Sequence, residues 1–202
     1  MMGGRHPFQQ DTGQDCIWLE GEQPLQNPIT FILDNTLSFN HTRSIIHGDL
    51  NGFNILVDQH NETWLIDFSK TNMGPLIQDF ACLEIFIRLL VDNTTYEQLF
   101  AWSLASFDES SKLNMPELPP IVQACFEIRK AHETIFRIRH IALDGRSEDE
   151  QIAYLIALLF HAIKIITIMD VAPFSRDHAL IIASVIAKRL NTIQKGLKRG
   201  MV

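Results

Sequence analysis

Three polar side chains, Asp49, Asn54 and Asp67, lie at the ends of short apolar runs and could act together in catalysis. The runs predict short buried strands, and they are Ile45–Ile46, Ile55–Val57 and Trp64–Ile66. A polar turn over 58–62 joins the last two runs, so the three side chains are expected at one edge of a small sheet. A carboxylate on a loop, an amide oxygen and a second carboxylate meet the needs of magnesium-assisted phosphoryl transfer. One group takes or orients the proton of the attacking hydroxyl, and two oxygens hold the metal that neutralises the phosphates.

The spacing of these residues resembles a known family. The run His47–Asn54, His-Gly-Asp-Leu-Asn-Gly-Phe-Asn, precedes Asp67-Phe68-Ser69 after the hairpin. Together they resemble the catalytic loop and metal-binding turn of the aminoglycoside phosphotransferase and choline kinase branch of protein-kinase-like folds. The separation of Asp49 and Asn54 matches the kinase signature His-x-Asp-x-x-x-x-Asn. His-Gly-Asp in place of His-Arg-Asp, and Asn51 where protein kinases carry a lysine, indicate the small-molecule branch.

The resemblance implies a role for each matched residue. Asp49 would be the base or orienter of the acceptor hydroxyl, and His47 would support its loop. Asn54 and Asp67 would bind Mg2+ and, through it, the phosphates of the donor ATP. Asp79 would brace the loop by accepting backbone hydrogen bonds, as structural support. The acceptor would be a hydroxyl group of a small molecule.

The elements around this stretch are mostly helical. Asn27-Pro28 predicts an N-cap followed by proline at the first helical position, and Ser147 with Glu150 forms a capping-box pattern. Helices are predicted at about 28–39, from 79 onward, from a cap at Thr94 or Thr95 to about 107, and at about 121–143, 147–170 and 176–198. The expected fold class is α+β, mainly α. It is the C-terminal lobe of a protein-kinase-like fold, a small catalytic β-hairpin followed by a helical bundle, over residues 27–202, after an irregular N-terminal segment over residues 1–26.

Several charged side chains could either be ordinary solvated surface or take part in function. Lys70 could meet a phosphate or the substrate, but solvated surface is the favoured interpretation. The same holds for a basic cluster in the helix over 121–143, made of Arg129, Lys130, Arg137, Arg139 and His140, whose alternative is a partner or acidic-substrate surface. Acidic residues Asp108, Glu109 and Glu117 are also favoured as surface, with a cationic acceptor such as an amino sugar as the alternative.

Composition argues against several classes of partner. The formal net charge of −7 gives no global basic footprint for nucleic acid or an anionic membrane. The three cysteines are widely spaced, which is typical of cysteines that serve as small buried residues in a reducing compartment. The apolar stretch Ile152–Met169 is interrupted by His161 and Lys164, which favours a buried helix over a membrane span. With no apolar run of a signal peptide at the start, we predict a cytoplasmic protein without nucleic-acid or membrane partners.

The N-terminal lobe of a complete phosphotransferase is not recognisable. Only 48 residues precede Asp49, and they contain neither a glycine-rich loop nor a lysine. We therefore predict a partial chain, inactive alone, that needs an N-lobe or a larger multidomain protein for activity. The main alternative is a catalytically inactive kinase-like interaction module, against which the intact Asp49, Asn54 and Asp67 count. A helical structural or membrane-associated protein with a coincidental motif is the third hypothesis.

Overall fold

Helices dominate the computed structural model, which describes residues 8–10, 16–19, 24–37, 39–108 and 115–199. The strands are β1 (Phe8–Gln10), β2 (Cys16–Leu19), β3 (Leu25–Gln26), β4 (Arg43–Ile46), β5 (Ile55–Val57), β6 (Thr63–Leu65) and β7 (Asn72–Pro75). The helices are α1 (Pro28–Asp34), α2 (Gln78–Leu89), α3 (Tyr96–Ser106), α4 (Pro120–Gln123), α5 (Phe126–Leu143), α6 (Glu148–Thr167) and α7 (Pro173–Arg199). The predicted class, α+β and mainly α, is confirmed.

The described strands form three small antiparallel sheets, ordered β1-β2-β3, β4-β7 and β5-β6. The single small sheet predicted around Asp49 is therefore wrong, because β4 pairs with β7, with Ile46 opposite Asn72, and not with the hairpin. The chain leaves β4 through a loop and a 3-10 turn at Gly52–Asn54, which frees the edge of β4 for a later strand. Within residues 1–26, the described strands β1, β2 and β3 pair in one antiparallel sheet. The division into a segment over 1–26 and a lobe over 27–202 stays a prediction.

The hairpin β5-β6 is exposed, although its apolar residues predicted buried strands. Trp64 is 58% exposed, and Leu56, Val57 and Leu65 are also exposed. A two-stranded hairpin needs a further layer to bury its side chains, and no described element supplies one. An apolar surface consequently remains uncovered beside the loop that carries Asp49.

Helix α1 begins where the sequence predicts but ends early. Asn27 Oδ1 accepts hydrogen bonds from the N–H groups of Ile29 and Thr30, at 3.0 and 3.4 Å, with Pro28 at the first helical position. The helix ends at Asp34 rather than near residue 39. The N-cap prediction is confirmed, and the extended backbone after the helix leads the chain directly toward β4.

The later helices confirm two capping patterns. Thr95 with Gln98 and Ser147 with Glu150 each form a complete capping box at the start of α3 and α6. The helix predicted over 121–143 is divided into α4 and α5. Helix α7 begins at Pro173 instead of after Ser175, because proline is well tolerated in the first turn of a helix.

Helix α6 lies at the centre of the helical part and packs against α7 and α2. Its length and apolar composition would also suit a membrane span, the one such helix among the described residues. Its inward side, however, is buried within the protein core, as predicted, and the core-facing residues are Ala153, Tyr154, Leu155, Ile156, Leu158, Leu159 and Ala162. The absence of a membrane partner stays a prediction.

A buried ionic network ties the three helices α2, α5 and α6 together. Glu84 of α2 accepts hydrogen bonds from Arg88 Nε (2.9 Å), from Arg139 Nε and Nη2 (2.8 and 2.6 Å) and from the Tyr154 hydroxyl (2.9 Å). Burial opposes ionisation of Glu84, but the two guanidinium groups prevail and lower its pKa to about 2. Arg139 is fully buried, so the predicted solvated face is wrong for this member of the basic cluster.

Candidate functional site

The loop after β4 is held by the first turn of α2. The backbone N–H groups of His47 and Gly48 donate to the two carboxylate oxygens of Asp79, at 2.7 and 2.9 Å. Gly48 has φ +81, and a Cβ at this position would collide with the carbonyl oxygen of Lys70. The loop therefore approaches the turn that carries Lys70 closely, and Asp49 follows directly on this braced segment.

The imidazole of His47 joins the loop to the end of β6. Its Nε2–H donates to the Ile66 carbonyl oxygen at 2.8 Å, since a carbonyl oxygen only accepts. The ring also packs against Phe68, with 5.0 Å between the ring centroids. His47 is buried and contacts the loop's neighbours, which is the geometry expected of a supporting residue.

The carboxylate of Asp49 lies between two lysines. Lys70 Nζ is 2.7 Å from Oδ2, and Lys164 Nζ of α6 is 3.7 Å from Oδ1. The hydrogen bond from Lys70 is the main cause that lowers the pKa of Asp49, with the charge of Lys164 adding to it. Asp49 is consequently ionised at neutral pH. Lys70 is exposed, as predicted, and it also pairs with Asp49, while its contact with a phosphate or the substrate stays a prediction.

Two asparagines shape the turn after Asp49. Asn54 Nδ2 and Asn51 Nδ2 both donate to the Asp49 carbonyl oxygen, at 2.9 and 3.1 Å. Asn51 Oδ1 accepts from the N–H of Phe53 at 2.9 Å. With Nδ2 of Asn54 engaged, its Oδ1 remains as an acceptor that has no partner among the described residues.

Asp67 adopts a left-handed backbone conformation, with φ 58 and ψ 63. Its Oδ1 accepts from the hydroxyl and the N–H of Ser69, at 2.7 and 3.4 Å, and the hydroxyl bond is the main cause that lowers its pKa. The carboxylate is exposed, and the charge of Asp49 acts on it. A non-glycine residue in this region of φ is uncommon, and such residues concentrate at functional sites.

Asn54 and Asp67 offer the oxygen ligands that Mg2+ prefers, an amide oxygen and an exposed carboxylate. Within the described parts of the chain, no group of three His, Cys, Asp or Glu side chains could hold a metal by itself. Mg2+ in kinases is bound by one or two protein oxygens together with substrate phosphates and waters, so this donor set fits. The roles assigned to Asp49, His47, Asn54 and Asp67 stay predictions.

Sequence reasoning missed the contribution of α6. In the sequence, Lys164 is only a charge that interrupts an apolar helix, whereas in the structure its ammonium group faces Asp49. A charged side chain in an otherwise apolar helix is unfavourable unless it reaches water or a partner, and this was the available signal. Cys82 of α2 is also near Asp49. Burial is the main cause that raises the pKa of its thiol to about 11, and the charge of Asp49 adds to this shift. That thiol stays protonated.

The acidic residues proposed for a cationic acceptor contribute no charge to the surroundings of Asp49 among the described interactions. Asp108 lines a groove between α3 and α7 together with Lys188 and Arg189. Glu117 is exposed, and Glu109 lies outside the described residues. The charged groups that lower the pKa of Asp49 include Lys70, Lys164 and His47.

A family profile described as ternary complex associated domain 9 matches residues 5–167. The chain belongs to this family. The match covers both the loop around Asp49 and all of α6, so the braced loop and its lysine partners lie inside the family's segment.

Two curated relatives of this ternary complex associated domain 9 protein are similar over a short segment. Each is named 3-deoxy-D-manno-octulosonic acid kinase. The one from Photobacterium damsela subsp. piscicida is 32% identical over 57 residues, 28% of this chain and 24% of the relative. The one from Photobacterium profundum is 35% identical over 60 residues, 30% of this chain and 25% of the relative. The chain thus spans about a quarter of each relative's length.

No solved structure matches the chain. The family profile and the two kinases together support a kinase-like family. They do not single out the aminoglycoside phosphotransferase and choline kinase branch, which remains a proposal.

Proposed function

We propose that this chain is the C-terminal lobe of a kinase-like phosphotransferase, of the aminoglycoside phosphotransferase and choline kinase type. It transfers the γ-phosphate of ATP to a hydroxyl group of a small molecule once an N-lobe or a larger protein covers the nucleotide. The observation that carries the proposal is the contact between the loop of Asp49 and the turn that follows Asp67. Asp49 and the turn after Asp67 contact each other through Lys70, while Asp79 braces the loop from below.

The proposed reaction uses Asp49 to orient the acceptor. The acceptor O–H donates to the Asp49 carboxylate, the acceptor oxygen forms a bond to the γ-phosphorus, and the bond from that phosphorus to the β–γ bridging oxygen breaks. The proton passes to Asp49, and ADP leaves with the bridging oxygen. Since the pKa of Asp49 is lowered, its carboxylate is a weak base that serves mainly to position the hydroxyl, as suits a loose transition state.

Asn54 and Asp67 are proposed to hold Mg2+, which supplies positive charge for the donor phosphates when it is bound. In this assignment, Asn54 Oδ1 and the exposed Asp67 carboxylate supply the two protein ligands. Ser69 orients the Asp67 carboxylate through Oδ1. The kinase relatives support the use of ATP and Mg2+.

The test is metal binding by the chain itself. Mn2+ substitutes for Mg2+ and broadens nearby amide signals in NMR spectra, so we expect broadening around Asn54 and Asp67. The variant Asp67→Asn tolerates the left-handed conformation but removes the charge, so it should abolish the broadening. A matched control, Asp58→Asn in the exposed hairpin turn, should leave it unchanged. Broadening that persists in Asp67→Asn overturns the metal assignment.

A second candidate function is a catalytically inactive interaction module, favoured by two observations. The family description names association with a ternary complex, and the hairpin exposes Trp64, Leu56 and Val57. An apolar surface of this kind is typical of a contact with another protein. Under this hypothesis the Asp67→Asn variant keeps its partners, and neither Mn2+ nor an ATP analogue binds the parent chain.

A further inference from the structure

We propose that Lys164 and Lys70 form an anion-recognition site beside Asp49, and that they select an acceptor carrying a carboxylate or phosphate group near its reacting hydroxyl. This inference rests on the proposed phosphotransfer and names the class of its acceptor. It assigns Lys164 of α6 as a specificity-determining residue.

The two lysines approach Asp49 from different elements. Lys70 follows the Asp67 turn and bonds Oδ2, whereas Lys164 projects from α6 toward Oδ1. Their side chains are 56% and 54% exposed. Each ammonium group carries three N–H donors, so each keeps donors that are available to a ligand on its solvent side.

The geometry places two cations beside the position of the acceptor. The ammonium groups of Lys70 and Lys164 lie on either oxygen of the Asp49 carboxylate. His161 lies one helical turn before Lys164, and burial together with the charge of Lys164 lowers its pKa, so it is neutral at pH 7. Asp67 and Asp79 also carry negative charge near this cluster, so the proposal rests on direct contact between the ammonium groups and the anionic group of the acceptor.

The distances place an acceptor within reach of Lys164. A hydroxyl that donates to Asp49 lies about 2.7 Å from its carboxylate oxygen, and Lys164 Nζ is 3.7 Å from Oδ1. A group on a neighbouring carbon of the acceptor therefore meets this ammonium directly or through one water. A carboxylate or phosphate there is attracted, whereas an amine is repelled.

The experiment uses three probes with one carbon skeleton: D-gluconate, D-glucitol and 1-amino-1-deoxy-D-glucitol, which are anionic, neutral and cationic at pH 7. Binding to the full chain is followed by NMR chemical-shift titration without divalent cations, because gluconate chelates them. We expect gluconate to bind about tenfold more tightly than glucitol, with shifts centred on Asp49 and Lys164, and the amine to bind least.

Variants separate a specific site from general attraction. Lys164→Met keeps the side-chain length and suits an apolar helix, and it should reduce the preference for gluconate to about threefold or less. Lys164→Arg should retain the preference. Lys195→Met, which removes an exposed charge elsewhere on α7, should leave the preference unchanged. An absence of gluconate binding, or a preference that survives Lys164→Met, overturns the proposal.

A further experiment distinguishes recognition of the acceptor from recognition of the donor phosphates. If Lys164→Met weakens binding of inorganic tripolyphosphate but leaves the gluconate preference intact, the lysine serves the ATP phosphates and the acceptor assignment is overturned. Failure of the proposed function gives a different result. In that case Mn2+ broadening at Asp67 is missing, whereas failure of this inference leaves Mn2+ binding intact and removes only the discrimination among the three probes.

Discussion

The carboxylate of Asp49 must meet two requirements. Lys70 and Lys164 keep it ionised, while the proposed reaction needs one oxygen available to an acceptor hydroxyl. Lys70 occupies Oδ2 at 2.7 Å, but Lys164 is 3.7 Å from Oδ1, beyond a normal hydrogen bond. In the proposed reaction, Oδ1 is therefore the oxygen that we expect to receive the acceptor hydroxyl.

Replacement of Asp49 by Asn tests this role. In a form of the protein that includes a nucleotide-covering lobe, Asp49→Asn should lower kcat by about 100-fold or more, because the variant loses the charged carboxylate that positions the hydroxyl and takes up its proton. Binding of an ATP analogue, measured by calorimetry, should change little. Parallel loss of nucleotide binding would contradict the assigned role.

Gly48 offers a direct test of the close approach between the two turns. Ala at this position suffers both a positive φ and a collision with the Lys70 carbonyl oxygen. Gly145 also has a positive φ, +68, but nothing lies within 4 Å of an added Cβ. Gly145→Ala should therefore lower the free energy of unfolding by about 1–2 kcal/mol from backbone strain alone. Gly48→Ala should lower it more in urea titrations and also alter the amide shifts of Lys70; equal effects of the two substitutions would argue against the contact.

The residues at the site could largely be predicted from the sequence, because Asp49, Asn54 and Asp67 belong to one local stretch with a characteristic spacing. Lys164 could not, because its position depends on where α6 lies relative to the loop. That arrangement is set by core packing among helices far apart in the chain, on which local spacing carries no information.

At the scale of elements, the Glu84 network connects α2, α5 and α6 through Arg139 and Tyr154. Helix α2 also carries Asp79, which braces the loop, and α6 carries Lys164. The buried network therefore holds the two helices that position the groups around Asp49. Sequence analysis did not single out Glu84, although Glu84 and Arg88 form an i, i+4 pair within an apolar-periodic helix.

Removal of the Glu84 charge should be strongly destabilising. Glu84→Gln leaves two buried guanidinium groups without a counter-charge, and we expect a loss of about 3–5 kcal/mol in the free energy of unfolding, measured with urea. Glu133→Gln, on the exposed side of α5, is the matched control and should change it by less than about 0.5 kcal/mol. A similar effect of both substitutions would show that the network contributes little.

The predicted helices were more accurate than the predicted sheet. Capping residues such as Thr95 and Ser147 act within one turn, so their patterns are visible locally. Pairing of β4 with β7 joins residues about 30 positions apart, and apolar content alone did not reveal that the hairpin lacks a covering layer.

At the scale of the whole molecule, stability should depend on pH through His178. Burial lowers the pKa of this histidine to about 3, from 6.5. A lowered pKa in the folded state means that the unfolded state binds the proton first, so stability is complete above pH 6.5 and declines as the pH falls toward 3. Between pH 7 and 5, we expect a loss of about 2 kcal/mol from this group, measured by urea unfolding.

His178→Leu should remove only the part of this decline that His178 contributes. The part from His132, whose pKa burial lowers to about 4, should remain, and His60→Gln in the exposed hairpin turn should remove neither part. Glu84 adds a second decline at lower pH, because its pKa is about 2 in the folded state against 4.5 normally. An unfolding free energy that stays constant from pH 7 to 5 in the parent chain would contradict the role of His178.

The exposed hairpin gives the molecule one apolar side next to the proposed nucleotide site. A partner lobe or another protein placed there would bury Trp64 and shield the Asp67 turn from water. Both candidate functions would thus use the same surface.

The predicted localisation in the cytoplasm stays a prediction.

The hydrogen bonds of Asn51 also affect how the protein ages in storage. Asn51 precedes Gly52, a dipeptide prone to spontaneous deamidation, in which the backbone nitrogen of the glycine attacks the side-chain amide. In the folded chain both ends of that amide are engaged, with Asp49 and with Phe53, which restrains the rotation that the attack requires. Folded samples should therefore retain Asn51, while heated or partly denatured ones convert it to aspartate and isoaspartate within two residues of Asp49.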